Sequence, residues 1–185
     1  MSVQKLFVSY ADVHRLVEKI AARIQASGWE PDIIVAIASG GFIPARIFKT
    51  YLKKDIYVVG LKRYPDDSGS AEAPKKVPVK IQWIDEVERK LEGKKILLVD
   101  EVGDTRITLG YCIQELLKNK PAEIRIAVLH QKLKPKSAEY PPAIKFVYEG
   151  AQVPDLWIKY PWDAVDIEEH EAAAREAAAQ AAAAE

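Results

Sequence analysis

KILLVDEVGDTRITLGYCIQELL, Lys95 to Leu117, changes character twice. Ile96 to Val99 is an unbroken apolar run, which suits a strand covered on both faces of a parallel sheet. Leu109, Cys112, Ile113, Leu116 and Leu117 then recur at helical spacing and make one apolar face. Between the two, Asp100, Glu101 and Asp104 gather at the carboxyl end of the strand, followed at once by Thr105, Arg106 and Thr108. Strand, polar turn and amphipathic helix form the repeating unit of an α/β fold.

The unit recurs on either side. Ser9, with Asp12 three residues on, has the form of a helix start, and Val13, Leu16, Val17, Ile20 and Ile24 carry that helix to Gly28. Pro31 and Asp32 lead into IIVAIA, Ile33 to Ala38, a second buried strand. Ser39-Gly40-Gly41 turns the chain, and Pro44 suits the first position of a helix to about Lys53. Ile56–Leu61, Val79–Ile84, Glu123–Gln131 and Phe146–Ala151 read as further extended segments. A short helix is expected from Asp85 to Leu91, closed by Gly93, and Asn119 with Pro121 ends the helix after Leu109. The alternation predicts an α/β fold with a mainly parallel sheet flanked by helices. KRYPDDSGSAEAPKKVP, Lys62 to Pro78, reads as a loop of a length usually tied to function. EAAAREAAAQAAAAE, Glu171 to Glu185, favours helix by propensity and has no apolar face larger than alanine, so a frayed or lightly docked terminal helix without chemistry is expected.

The chain has 185 residues, 49% hydrophobic and 29% charged, an ordinary globular composition with room for one core. Lys+Arg and Asp+Glu both number 27, a balance that argues against a nucleic-acid coat and leaves room for a local anion pocket. Cys112, the lone cysteine, excludes an internal disulfide and a Cys-rich zinc site and fits a reducing cytoplasm. The N-terminal residues lack the apolar core of a signal peptide. No run approaches the ~20 apolar residues of a membrane span. Neither a membrane nor a nucleic acid is expected as a partner.

In open parallel sheets, ligands bind beyond the carboxyl ends of the strands. Two adjacent acids there, Asp100 and Glu101, can accept hydrogen bonds from neighbouring hydroxyls such as the 2′ and 3′ pair of a ribose, or hold Mg²⁺ directly or through water. The turn from Asp104 to Thr108 leads into a helix whose free amides and dipole favour an anion, and two threonine hydroxyls add donors. Together these imply a ribose phosphate; the alternative is a solvated turn with a threonine cap. Ser39-Gly40-Gly41 suits either a backbone cradle for an anion or a plain tight turn. Trp157 and Trp162 suit a core, and Lys132 the surface, as readily as a ligand site.

VDEVGDTRIT resembles the phosphoribosyl-diphosphate signature of the type I phosphoribosyltransferases, in which an apolar strand, two acids and two variable residues precede Asp-Thr-Gly-x-Thr. Arg106 stands where most members have glycine; its side chain crowds the phosphate loop or reaches the phosphate. VLHQKLKP and VPDLWIKYPWD resemble the 6-oxopurine branch, and the whole of Val8 to Ile167 is similar to the fungal hypoxanthine-guanine enzymes and microbial xanthine/guanine relatives. The resemblance implies a single domain over residues 1–170, with a mobile loop at about 62–79 and a C-terminal hood at about 132–163, before an alanine-rich tail at 171–185. It implies purine salvage: Mg²⁺-dependent transfer of 5-phosphoribosyl from phosphoribosyl diphosphate to N9 of hypoxanthine, guanine or xanthine, giving the nucleoside monophosphate and pyrophosphate.

The same resemblance assigns residues. Asp104 is the catalytic base, and Asp100, Glu101, Thr105, Arg106, Ile107 and Thr108 bind the phosphoribosyl group. Ser39, Gly40 and Gly41 bind pyrophosphate. Lys132 meets the purine 6-oxygen, Trp157 stacks on the ring, and Ile158 offers backbone groups to the base edge. Asp100, Glu101 and Asp163 serve Mg²⁺, directly or through water. A homodimer is the family expectation. Two rivals remain: a regulator that binds phosphoribosyl diphosphate without catalysis, and a transferase for uracil or orotate. The short N-terminal segment speaks against the first, and the pairing of Lys132 with Trp157 against the second.

Overall fold

The computed structural model describes residues 4–62 and 77–183. The chain runs β1 (Lys5–Phe7), α1 (Tyr10–Ala26), β2 (Ile33–Ala38), α2 (Phe42–Leu52), β3 (Asp55–Lys62), β4 (Val79–Gln82), α3 (Val87–Leu91), β5 (Lys95–Gly103), α4 (Ile107–Leu117), β6 (Glu123–Lys132), β7 (Val147–Val153) and β8 (Trp157–Lys159). A 3₁₀ turn at Pro161–Asp163 and α5 (Ile167–Ala183) follow. Six strands form one sheet in the order β4-β3-β2-β5-β6-β7. All neighbours are parallel except β4, which runs antiparallel to β3. This is the expected α/β architecture.

The apolar runs are continuous because both faces of the sheet are covered. Ile34, Ala36, Leu97, Val99, Ala127 and Leu129 face one way, onto Val13, Val17, Ile20 and Ile24 of α1 and Phe48 of α2. Their chain neighbours Val35, Ile37, Ile96, Leu98, Ile126 and Val128 face the other way, onto Leu109, Cys112, Ile113 and Leu116 of α4 and Leu91 of α3. Each large side chain so buried contributes ~1.5–3 kcal/mol.

The two central strands part at their carboxyl ends. β2 and β5 pair only from Ile33↔Ile96 to Ala36↔Val99. Beyond that, β2 stays with β3 as far as Ala38↔Gly60, and β5 stays with β6 as far as Gly103↔Gln131. A crevice opens at the point where the strand order reverses. Gly41 seals its base: its N–H donates to the Ile37 carbonyl at 2.8 Å, and a Cβ there would lie 2.6 Å from both Ile37 O and Val99 O.

Several element boundaries differ from those expected. β5 runs three residues past Asp100, because Val102 and Gly103 pair with His130 and Gln131. Pro44 is the third residue of α2, still within the first turn, where a missing N–H costs nothing. α3 starts at Val87. The alanine-rich tail continues a helix that begins at Ile167 and docks near its start. His170 Nε2 lies 2.9 Å from Val8 O, Glu171 accepts from Tyr10 N at 3.2 Å, and Ala174 is buried. β1 and β8 form a separate parallel pair, Leu6 opposite Ile158, that ties the segment after β7 to the N-terminal residues. Residues 63–76 of the expected loop lie outside the described residues. Among the described residues, no helix is long and apolar enough to cross a membrane.

Two glycine substitutions should separate in sign. Gly41→Ala forces a methyl against two sheet carbonyls and should lower stability by about 1–3 kcal/mol in urea denaturation. Gly110→Ala, inside α4 where an added Cβ would lie 3.9 Å from Glu139 O, should raise it by about 0.5–1 kcal/mol.

Candidate active site

A cavity of about 360 Å³ occupies the crevice. Ser39 and Gly40 line it from the end of β2, Lys62 from the end of β3, and Asp100, Glu101, Asp104, Thr105, Arg106 and Thr108 from β5 and the turn into α4. The structure therefore gathers most of the sequence-selected residues around one space. Gly41 and Ile107 stand just behind that lining, and the Gly41 amide is spent on Ile37. Any Cβ at Gly40 would overlap the Glu101 carboxyl, so glycine is what lets that carboxylate lie against the loop.

The acids differ in circumstance. Asp100 is 8% exposed, and its Oδ1 accepts from the Glu101 N–H at 3.0 Å. Burial, and then the neighbouring Glu101 charge, push its carboxyl well above the usual carboxylate range. Glu101 Oε2 is buried without a hydrogen-bond partner. Two adjacent carboxylates, one held up by burial and repulsion and one with an unpaired oxygen, fit a divalent cation or a pair of hydroxyl donors. No cluster of three or more His, Cys, Asp or Glu suited to a metal occurs among the described residues. A cation here would take most of its ligands from water and substrate oxygens, the habit of Mg²⁺. Asp163 joins no such cluster; it sits in the 3₁₀ turn, its N–H on Tyr160 O at 3.1 Å.

Asp104 belongs to a different network. Lys134 Nζ lies 2.8 Å from Asp104 Oδ1 and Lys132 Nζ 3.9 Å from Asp104 Oδ2. Both ammonium groups also approach Asp155 Oδ1, at 3.0 and 3.5 Å. Lys132 is thus beside Asp104, and Lys134 and Asp155 join it. No local signal marks Lys134, which lies in a bend just past the end of β6.

Arg106 is the N-cap of α4 in the left-handed region, φ 67° and ψ 2°, with no side-chain cap on the helix. Glycine in the signature is suited to that backbone, which costs an L-residue ~1–2 kcal/mol. The Arg106 guanidinium points to Glu139 Oε2 at 2.9 Å and lies over the Tyr140 ring at 4.6 Å. The first amides of α4 are left without a side-chain acceptor, as an anion site requires.

In the hood, Trp157 is 58% exposed on β8, whereas Trp162 stacks on Tyr160 at 4.6 Å and 5°. Trp162 is therefore the packing aromatic, and Trp157 the one with a face to offer. Ile158 packs against the core below it. The Tyr160 hydroxyl donates to Glu101 O at 2.9 Å, and buried His130 lies 2.9 Å from the same hydroxyl. Tyr160 so fastens the segment after β8 to the end of β5. Burial pushes His130 down to about 4.

Fold and crevice together describe a protein built to take a sugar phosphate at the switch point of a parallel sheet. Residues 9–165 match the phosphoribosyl transferase domain, and the chain belongs to that family. It is 42% identical to xanthine phosphoribosyltransferase 1 of Saccharomyces cerevisiae, over 90% of this chain and 93% of that one. It is 38% identical to the hypoxanthine-guanine phosphoribosyltransferase of Schizosaccharomyces pombe, over 92% and 95%. A crystal structure of a hypothetical protein from Neisseria gonorrhoeae with bound ppGpp superposes with a TM-score of 0.85 at 40% identity, covering 96% of this chain and 99% of that one.

The Asp100 environment predicts a pH dependence. A carboxyl raised in the folded state binds more protons than the unfolded chain does. Its contribution to stability is therefore full below ~3.9 and is lost as pH rises toward the raised native value. Ligand-free Asp100→Asn should melt higher than the parent at pH 8, with the gap closing toward pH 4.

Proposed function

We propose that the protein is a purine phosphoribosyltransferase of salvage metabolism, moving 5-phosphoribosyl from phosphoribosyl diphosphate to N9 of hypoxanthine, guanine or xanthine. One observation carries the reading. The Asp100–Glu101 pair and the uncapped start of α4 face one cavity, and Asp104 joins them with two ammonium groups on its other side. Sugar, phosphate and base edge each find complementary chemistry within a few residues.

Asp100 and Glu101 accept from the ribose 2′ and 3′ hydroxyls and face the positive charge that grows at C1′. The bond from C1′ to pyrophosphate oxygen breaks with its electron pair leaving on pyrophosphate, and the N9–C1′ bond forms, through an oxocarbenium-like state. Asp104 takes the N7 proton as general base. Thr105, Thr108 and the first α4 amides hold the 5-phosphate, while Ser39 and Gly40 border the pyrophosphate. Lys132 donates to the 6-oxygen, which favours 6-oxopurines over adenine, and Trp157 supplies a stacking face. Mg²⁺, served by Asp100 and Glu101, would neutralise charge on the leaving pyrophosphate. The ppGpp held by the Neisseria protein is a guanine ribonucleotide carrying diphosphates, the chemical class this crevice would take. A homodimer in the cytoplasm completes the reading.

The test is nucleotide formation from phosphoribosyl diphosphate, Mg²⁺ and each purine in turn. Asp104→Asn should lower kcat by about 10²–10⁴-fold while binding of phosphoribosyl diphosphate changes little. Lys132→Met should raise KM for the base. Absence of nucleotide with all three 6-oxopurines, or near-normal turnover in Asp104→Asn, would refute the reading or the base assignment respectively.

A further inference from the structure

Lys136 lies outside every role assigned so far. Its ammonium contacts three backbone carbonyls: Lys132 O at 2.6 Å, Asp104 O at 2.9 Å and Gly103 O at 3.3 Å. An ammonium has three N–H donors and a carbonyl cage of three uses them all. Gly103 and Asp104 form the exit of β5 into the phosphate turn, and Lys132 is the last residue of β6. Oxygens converging on one point repel one another unless a cation stands between them.

Adjacent contacts extend the same brace. Gln131 Nε2 donates to Gly103 O at 2.7 Å and to Lys132 O at 3.2 Å. The next amide along, Ser137 N, donates to Thr105 O at 3.2 Å, and Glu139 takes the Arg106 guanidinium. Gly103, Asp104, Thr105 and Arg106 are thus each held by the segment after β6. The charged groups bearing on Lys136 are Arg106, Lys134, Asp104 and Glu149, and burial is the largest influence on its ammonium.

We infer that Lys136 is a positioning residue that acts as a tethered monovalent cation, clamping the carbonyls of Gly103, Asp104 and Lys132 so that the Asp104 base and the Lys132 ammonium keep a fixed separation. The inference rests on the phosphoribosyltransferase reading for its catalytic consequence, but the carbonyl cage stands apart from it. Lys136 touches no reacting atom. Its removal shifts both partners at once, and a misplacement of about 1 Å costs on the order of 10²-fold in rate.

The experiment compares full-length Lys136→Met, which keeps the bulk and loses the charge, with Lys136→Ala, which opens a channel to the cage. Lys136→Met should lose about 10²-fold in kcat, with KM for phosphoribosyl diphosphate within about threefold of the parent. n-Propylammonium should restore turnover of Lys136→Ala saturably; tetramethylammonium, which has no N–H donor, should not. The same n-propylammonium should raise the melting temperature of Lys136→Ala and leave the parent unchanged, a readout independent of activity. Near-parental kcat in Lys136→Met, equal effects of the two cations, or no selective stabilisation would overturn the inference. A parent protein without transferase activity would count against the proposed function, and the melting experiment would still decide the cage.

Discussion

The parting of β2 from β5 after Ala36 and Val99 is the constraint from which the site follows. Up to those residues the strands share a ladder and are buried on both faces. Past them, each is held by its other neighbour alone, and the space between receives both loops. Gly41 is the hinge pin of this arrangement, since the α2 turn must pass within contact of Ile37 O and Val99 O. A larger residue would press β2 and β5 apart along the stretch where they must pair. The shape of the crevice and the packing of the core therefore meet in one residue.

The charges within the crevice are arranged in two ways. Asp104 is met by lysines and sits in a four-member network with Asp155. In the Asp100–Glu101 pair, Glu101 Oε2 is buried without a hydrogen-bond partner. A buried acid without a partner costs stability in the free protein, and the cost is recovered when hydroxyls or a cation arrive. Asp104 instead lies partly exposed between two ammonium groups.

Much of this was legible in the sequence. Continuous apolar runs in Ile33–Ala38 and Lys95–Asp100 gave away strands covered on both faces, and the helical spacing from Leu109 to Leu117 gave the covering layer. The acids of VDEVGDTRIT were legible because the pattern resembles the phosphoribosyl-diphosphate signature; their place at a strand end also suits a solvated turn. What escaped was decided by partners distant in the chain. β1 is three residues long, too short for any period, and exists because Leu6 meets Ile158. The extension of β5 to Gly103 depends on His130 and Gln131. Lys134 and Lys136 look like ordinary solvated lysines in KLKPKS; only the fold turns one onto a carboxylate and the other onto carbonyls. Tyr160 and His130 likewise become a clamp through a carbonyl of Glu101, which no side-chain pattern announces.

Arg106 shows how such distant partners reshape a local rule. The left-handed backbone at this position favours glycine, and an arginine there costs ~1–2 kcal/mol. Its ion pair with Glu139 is 85% exposed on the acid side, so it returns at most about 1 kcal/mol. Stacking on Tyr140 adds ~0.5–1 kcal/mol or more where desolvated. The sum is near balance, so stability alone does not account for arginine. Its geometric effect is larger: the guanidinium fastens the phosphate turn to residues 139 and 140, beside the Lys136 and Ser137 contacts on the three preceding carbonyls. A turn with glycine would rely on its ligand for order. Here the guanidinium fixes the turn to Glu139 and Tyr140, so the first amides of α4 are ordered in the free protein and an anion arriving there would meet a lower ordering cost.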